Sequence, residues 1–450
     1  MENIKLLKHF GLFDTKAPRY TSYPPANQFK GGIGQRNQTQ WLLKTAVDKP
    51  ISVYVHIPFC RRLCWFCACR TQGTKTNAPL DAYIGSLTKE LKAVSKLIKM
   101  MPPMARLHLG GGTPTLLNVQ QMESLLRLIF TIFPITKNFE FSVEIDPTEA
   151  SDDILTELQK WGVNRTSIGV QDFNPKVQKA IGRFQSYKQT QEVVTKIYNL
   201  GISNINLDLL YGLPHQTEDG LLKTIAKVIC LDPDRIALYG YAHVPHVSKR
   251  QVMIDADALP SPKARYKMIK LASNKICASG YRKIGIDHFA KPSDNLFKAL
   301  QAGRIHRNFQ GYTDDPCDTL IGFGASAISK FPEGYSQNAV STIAYTTRVG
   351  DTGIAGHRGY KMQDDDFKIA RMIEMLMTDF TIDAREIDEQ FPGGEKGEFY
   401  LDRILAEFPN VVKKEHDQLS ILPGYEELVR IIAGSLDIHS VAQAHHSSAI

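Results

Sequence analysis

A chain of 450 residues, 43% hydrophobic and 22% charged, has the composition of an ordinary globular protein of two or three domains and excludes a repetitive or low-complexity architecture. No apolar run approaches the ~20 residues of a membrane span, and the N-terminus lacks the apolar core of a secretory signal, so the expected location is cytoplasmic, with the seven cysteines reduced. The formal charge of +7 is uneven: from Asp366 onward 16 acidic residues face 8 Lys and Arg, a net of −8, which leaves +15 on the remainder and suits an anionic substrate.

Residues 1–48 read as an N-terminal extension. From about residue 50 to 290, apolar runs of strand length alternate with helical patterns. The runs are ISVYVHI (51–57), ARLHLG (105–110), FEFSVEI (139–145), RTSIGV (165–170), INLDLLY (205–211) and RIALYGY (235–241). Helical spacing lies between them, as in PLDAYIGSLTKELKAVSKLI (79–98) and LLKTIAKVICLD (221–232). Strands separated by helices predict βαβ crossovers and a parallel sheet. Six units without a dinucleotide-binding glycine fingerprint predict an α/β fold, a partial (β/α)6 barrel over residues 49–330.

The strand ends carry the polar chemistry. The first run enters a cysteine loop, and the second enters Gly110-Gly111-Gly112-Thr113-Pro114. The third ends on Glu144 and Asp146, the fourth on Gln171 and Asp172, the fifth carries Asp208 and Tyr211, and the sixth Tyr239, Tyr241 and His243. In a β/α barrel the C-terminal strand ends form the active face; carboxylates there also serve as helix N-caps.

After Phe331 the stretch 331–365 is rich in Gly, Thr and Asp and reads as a connector with one short helix. Residues 366–450 read as a mainly helical accessory domain covering part of the barrel mouth: FKIARMIEMLMTDF, AREIDEQF and FYLDRILAEF as helices, VVKKEHDQLSILPGY as a hairpin, and ELVRIIAGSLDIH as a last helix. That order resembles a winged-helix DNA reader, but a charge of −8 opposes phosphate binding, so no nucleic acid is expected.

The loop CRRLCWFCAC spaces its thiols C-x3-C-x2-C-x-C, at Cys60, Cys64, Cys67 and Cys69. Structural zinc takes two ligand pairs separated by a longer span. Three thiolates in eight residues instead suit three corners of a cubane iron–sulfur cluster, with one iron left open for chemistry. Cys69, two residues beyond Cys67, is read as a non-ligand.

CxxxCxxC after a first strand with a glycine-rich run after the second resembles the radical S-adenosylmethionine (SAM) superfamily. The resemblance implies that SAM chelates the open iron of a [4Fe-4S] cluster and is cleaved by one electron to methionine and a hydrogen-abstracting 5′-deoxyadenosyl radical. APRYTSYPPANQF, YVHIPFC, the fourth cysteine, LGGGTPT, SVEIDP, SIGVQDFN, NLDLLYGLP, YAHVP, IDHFA and HRNFQGYT follow in order. Together they resemble the oxygen-independent coproporphyrinogen III oxidases from about residue 17 to 330, and more weakly beyond. The resemblance implies oxidative decarboxylation of two propionates of coproporphyrinogen III to vinyls, giving protoporphyrinogen IX for haem, with two SAM molecules and a reducing electron donor of unstated identity. The expected enzyme is a monomer.

By that resemblance Cys60, Cys64 and Cys67 hold the cluster. Tyr54, Phe66, Gly111, Gly112, Thr113, Glu144, Gln171, Arg183, Asp208, Ala242 and Ile328 contact SAM, the glycines by letting backbone approach and Arg183 by forking onto a carboxylate. Arg19, Tyr20, His306 and Arg307 stand in family motifs and are candidates for anchoring the remaining propionates. Departures from the family are Ala68 for Gly, Trp65 for Tyr and Gly182 for Asn; Ala68 matters if its φ is positive. The tail HSVAQAHHSSAI, with His439, His445 and His446, reads as a solvated end, and Cys230, Cys277 and Cys317 as buried thiols. The alternatives are a haem chaperone or haem ring-opening relative, a nucleic-acid-binding protein, and a zinc-stabilised structural module. The chaperone type usually lacks Cys69 and the RYTSYP segment, both present here.

Overall fold

The computed structural model describes residues 2–439 and 448–450. The six apolar runs become six neighbouring parallel strands: β1 (Ile51–Ile57), β2 (Met104–Gly111), β3 (Ile135–Ile145), β4 (Arg165–Gln171), β5 (Asn204–Tyr211) and β6 (Arg235–Gly240). Register places Tyr54 beside His108, Glu144 beside Ser167, and Asp208 between Gly169 and Ala237. Crossover helices α1 (Ala78–Leu97), α2 (Val119–Ile132), α3 (Asp152–Lys160), α4 (Tyr187–Asn199) and α5 (Glu218–Cys230) join them, and α6 (Pro262–Ala278) follows β6. Four of the five crossover helices, α2 to α5, start on a side chain that satisfies an orphan N–H of the first turn: Asn118 and Ser186 in capping boxes, Ser151 and Thr217 as single caps. The core lies between strands and helices, where Leu87, Leu107, Leu126, Ile129 and Val143 are fully buried.

Beyond β6 the sheet adds β7 (Arg282–Ile284) and β8 (His288–Ala290), antiparallel. On the other side β9 (Leu320–Phe323) runs parallel to β1, followed by antiparallel β10 (Ile328–Phe331), β11 (Gly334–Asn338) and β12 (Gly356–Lys361). The twelve strands form one open sheet, a partial barrel whose two ends do not pair. The connector expected at 331–365 is therefore built structure: β11, helix α7 (Thr342–Thr352) and β12. GYSQN hid its strand because its polar side chains are buried inside the protein rather than alternating with solvent. Asn338 Nδ2 donates to Glu90 at 2.7 Å, and Gln337 accepts from Arg358 at 2.7 Å.

The C-terminal region holds α8 (Asp364–Asp379), α9 (Ala384–Gln390), α10 (Gly397–Glu407) and α11 (Val429–Leu436) with the expected hairpin, Val412–Glu415 against Gln418–Ile421, extended by Thr381–Asp383. The N-terminal extension ties this region to the barrel: Asn3 donates to the Gly424 carbonyl, Tyr20 to Asp437, and Gln28 to the His439 carbonyl. His439 is not a solvated end, since its Nε2 lies 2.5 Å from Oδ1 of the buried Asp366; His445 and His446 lie outside the described residues. Cys230, at the last position of α5, is exposed, and Cys277 and Cys317 are half-buried. No helix among the described residues is long and apolar enough to cross a membrane.

Candidate active site

The cysteine loop is pinched at its base. Phe59–Cys60 pairs in parallel with Gln72–Gly73, closed by Gln72 N–H to the Pro58 carbonyl (2.7 Å) and Thr74 N–H to the Cys60 carbonyl (3.0 Å). Neighbouring segments grip the loop from outside. Trp65 N–H bonds the Ile181 carbonyl (3.0 Å), Ser248 Oγ the Cys67 carbonyl (2.9 Å), Gln251 Nε2 the Phe66 carbonyl (2.8 Å), and Arg250 the hydroxyl of Thr71 (2.9 Å). A segment of ten residues thus acquires a fixed shape that its own sequence does not supply.

The thiols share one electrostatic environment. Burial, with the neighbouring Cys67 and Cys64, pushes the Cys60 thiol up to about 11 against a hydrogen bond with Thr113. Cys67 sits at about 7: the hydrogen bond from Cys69 lowers it, burial opposes, and Arg250 and Arg183 add to the lowering. Cys69, at the exposed lip, is raised by that same bond. Arg183 Nη1 lies 3.6 Å from Cys64 Sγ and 3.2 Å from Asp146, and burial of the guanidinium is offset by Asp146 and the thiol sulfurs. No three His, Cys, Asp or Glu side chains among the described residues converge on one ion-sized point. Three neighbouring thiols backed by two arginines fit an anionic cluster that takes each thiolate at its own corner.

Next to the loop, β1 and β2 build a second group. Tyr54 Oη donates to His56 Nδ1 at 2.8 Å, and His56 Nε2–H points to the Arg70 carbonyl at 3.1 Å, which fixes a neutral tautomer; burial lowers its proton affinity accordingly. The Tyr54 ring stacks on His108 (5.7 Å, 16°), and His108 bridges Ser142 Oγ (2.6 Å) and Glu144 Oε1 (3.3 Å). Burial alone would raise Glu144, yet His108 and the Gly111 N–H (2.9 Å) hold it below the usual carboxylate range.

The GGGT backbone is engaged within the protein. Gly111 N–H goes to Glu144, Gly112 N–H to the Ile57 carbonyl (2.8 Å), and Thr113 N–H to the Phe59 carbonyl (2.8 Å). Gly111 has φ +106°, with His56 2.4 Å from where a Cβ would lie, and a Cβ on Gly112 would lie 2.5 Å from the Phe59 carbonyl. The glycines are required by the close passage of β1 into the cysteine loop, and their N–H groups help hold that passage.

The other predicted positions fall on the same strand-end face. Gln171 ends β4 with φ +68°, an unusual conformation for a side-chain-bearing residue and one associated with functional sites. Asp208 on β5 accepts from Ser167 Oγ (2.9 Å) and Asn206 Nδ2 (2.8 Å), and burial raises its carboxyl against those bonds. Ala242 follows β6 and joins the cysteine loop through Gln251, which bonds both the Ala242 carbonyl (3.1 Å) and the Phe66 carbonyl. Ile328 begins β10 beyond β9. Arg183 is buried, and its N–H groups meet Asp146, Cys64, Gln185 and the Gly169 carbonyl, which sets it against the cysteine loop. Asp172 does not face the site: fully buried, it accepts from Gln216 (2.7 Å) and Thr224 (2.8 Å) as a structural carboxylate.

The sequence alone does not single out His56, His108 or Gln251. His56 and His108 stand in the quoted runs, but only the register of β1 on β2 brings them to Tyr54 and Glu144. Two departures from the family pattern prove to touch. Gly182 has φ +65°, and a Cβ there would lie 2.9 Å from the Trp65 ring, so the larger indole occupies the space a side chain would need. Ala68 is absent from the positive-φ residues, so its Cβ carries no backbone penalty.

A family model described as the radical SAM superfamily matches residues 54–228. The chain is 45% identical over 453 residues to the oxygen-independent coproporphyrinogen III oxidase of Cereibacter sphaeroides, with 100% of each chain covered. It is 45% identical over 452 residues to the protein of the same name from Paracoccus denitrificans, again with 100% of each covered. Coproporphyrinogen III oxidase from Escherichia coli, a solved structure described as a radical SAM enzyme, superposes with a TM-score of 0.89 at 34% identity over 94% of this chain and 97% of that one.

Proposed function

The chain belongs to the oxygen-independent coproporphyrinogen III oxidases of the radical SAM superfamily, and from that premise we propose how its residues divide the work of oxidatively decarboxylating two propionates of coproporphyrinogen III to vinyl groups, giving protoporphyrinogen IX. Cys60, Cys64 and Cys67 hold a [4Fe-4S] cluster, and Tyr54, Phe66, Gly111, Gly112, Thr113, Glu144, Gln171, Arg183, Asp208, Ala242 and Ile328 surround two SAM molecules. When bound, cluster and SAM supply the radical chemistry that removes hydrogen from the propionate.

The supporting observation is the pinched loop, which sets three thiols beside Arg183 and Arg250 at the strand-end face. The arginines offset thiolate charge, and Asp146 holds Arg183 in place. Glu144, kept ionised by His108 and Gly111, presents an anion suited to the SAM ammonium group; Asp208 presents acceptors suited to ribose hydroxyls. The reading includes a low-potential one-electron donor and a monomer whose site is completed by its own N- and C-terminal segments. It also includes a reducing, cytoplasmic compartment, consistent with seven free cysteines.

The test is anaerobic reconstitution with iron and sulfide, then incubation with SAM, a strong reductant and coproporphyrinogen III. Protoporphyrinogen formation with consumption of two SAM per product is expected. A protein that loads iron and binds haem but leaves coproporphyrinogen unchanged would overturn the assignment.

A further inference from the structure

Past the end of β6 lies a cavity of about 60 Å³ lined by Arg19, Arg265, Lys283, Asp287, Glu427 and Arg430, with the Gly240–Ala242 backbone as one wall. The cations come from separate parts of the chain: Arg19 from the N-terminal extension, Arg265 from α6, Lys283 from β7 and Arg430 from α11. Arg307 stands behind them, on the strand His306–Asn308, with its guanidinium 4.2 Å over the Tyr312 ring.

Main-chain carbonyls orient these arginines. Arg19 donates to Gly240 O (2.5 Å), Arg265 to Tyr241 O (2.8 Å), Arg307 to Arg19 O (3.2 Å) and Tyr20 O (3.4 Å). Arg430 donates to Pro18 O (3.0 Å), Ser448 O (2.9 Å), Ala449 O (3.2 Å) and Ala17 O. Carbonyls orient a guanidinium without cancelling its charge. Of the two carboxylates in the lining, Glu427 pairs with Lys270 (2.8 Å), while Asp287 is hydrogen-bonded to His288 (2.7 Å) and lies near Arg19, Arg307 and Arg430, one negative charge among several positive ones. Arg265 Nε and Arg307 Nη1 are buried donors without a hydrogen-bond partner among the described residues. Burial, with Arg19 and Arg307 close by, lowers Arg430 to about 9, and burial together with Arg19 also lowers Arg265. Buried like charges held this way are relieved by an anion.

The cavity has room for a few waters or for a carboxylate on a short stem, and none for a tetrapyrrole ring. We propose that this pocket, resting on the functional reading above, anchors one unreacted propionate of the tetrapyrrole through Arg19 and Arg265, with Arg307 behind them adding to the positive field. Sharing the Gly240–Ala242 wall with the strand-end face, it fixes the macrocycle while a different propionate faces the cysteine loop.

The test uses the reconstituted full chain with coproporphyrin III, the oxidised and unreactive porphyrin, as fluorescence probe. Arg265→Gln and Arg19→Gln should each raise its Kd about 10- to 100-fold, the worth of a charge-assisted hydrogen bond. KM for coproporphyrinogen III should rise in step while kcat changes little, cluster absorbance should stay intact, and Arg265→Lys should recover part of the loss. Wild-type Kd and KM in both glutamine variants would overturn the pocket while the function stands. A wild-type protein that neither binds coproporphyrin nor converts coproporphyrinogen would overturn the functional reading and the pocket with it.

Discussion

Cys67 and Cys69 stand two residues apart and hold their protons with opposite strength, one near 7 and the other well above the ordinary thiol range. The difference follows position: Cys67 lies inside the arginine field, and Cys69 donates to it from the exposed lip. Cys60→Ala, Cys64→Ala and Cys67→Ala should each abolish cluster absorbance and turnover, whereas Cys69→Ala should keep the absorbance. Iron content per chain reads the result, and loss of iron in Cys69→Ala would make it a ligand. The Trp65–Gly182 contact gives a second prediction at this scale. Gly182→Asn places a side chain where the indole lies and should destabilise the protein by about 1–3 kcal/mol. Trp65→Tyr in the same chain should recover about 1 kcal/mol, because Asn tolerates the left-handed backbone once the ring is smaller. Denaturant melts of the four variants complete the cycle, and simple additivity would remove the coupling.

Among the elements, α1, α7, the turn after β9 and the end of β11 are joined through one carboxyl. Glu90 accepts from Tyr345 Oη (2.7 Å), Asn338 Nδ2 (2.7 Å) and Gly324 N–H (2.8 Å), and burial raises it to about 7 despite those bonds. The folded state therefore holds this proton more tightly than the unfolded chain does, across the interval from the ordinary value of 4.5 to about 7. Stability from the protonated form is present below that interval, declines as pH rises through it, and levels off above. Relative to Glu90→Gln, the wild type should lose roughly 2–3 kcal/mol between pH 5 and pH 8, measured by denaturant unfolding at each pH; a pH-independent difference would place the titration elsewhere. The same region shows where the sequence stops being informative. The six barrel strands were legible because their apolar runs are buried on both faces, and the cysteine spacing was legible because it is local. Ser336, Gln337 and Asn338 form a buried strand with no apolar period, and their partners Glu90 and Arg358 lie at other positions in the chain. Likewise the stacking of Tyr54 on His108 and the gathering of Arg19, Arg265 and Arg430 depend on register and on packing between distant segments.

Across the whole molecule the charge is divided, −8 on residues 366–450 and +15 on the remainder, and both parts meet at the barrel mouth. There Glu374 of α8 lies 3.2 Å from His306, and Arg430 of α11 binds the N-terminal extension at Pro18. The acidic region thus has carboxylates paired with basic side chains of the barrel, Glu374 with His306 and Glu427 with Lys270, while contributing Arg430 to a basic cavity. A substrate with four propionates is drawn by that cavity over a range set by salt, since the Debye length falls from about 10 Å at 0.1 M to about 3 Å at 1 M. Raising KCl from about 50 to about 500 mM should lower kcat/KM for coproporphyrinogen III by about tenfold, acting through KM with little change in kcat. Arg19→Gln and Arg265→Gln should flatten that dependence, because each removes a charge at the point of capture. Steady-state kinetics at five salt concentrations would show it. A wild-type kcat/KM indifferent to salt would mean that the cavity's charge orients the bound tetrapyrrole without guiding its approach.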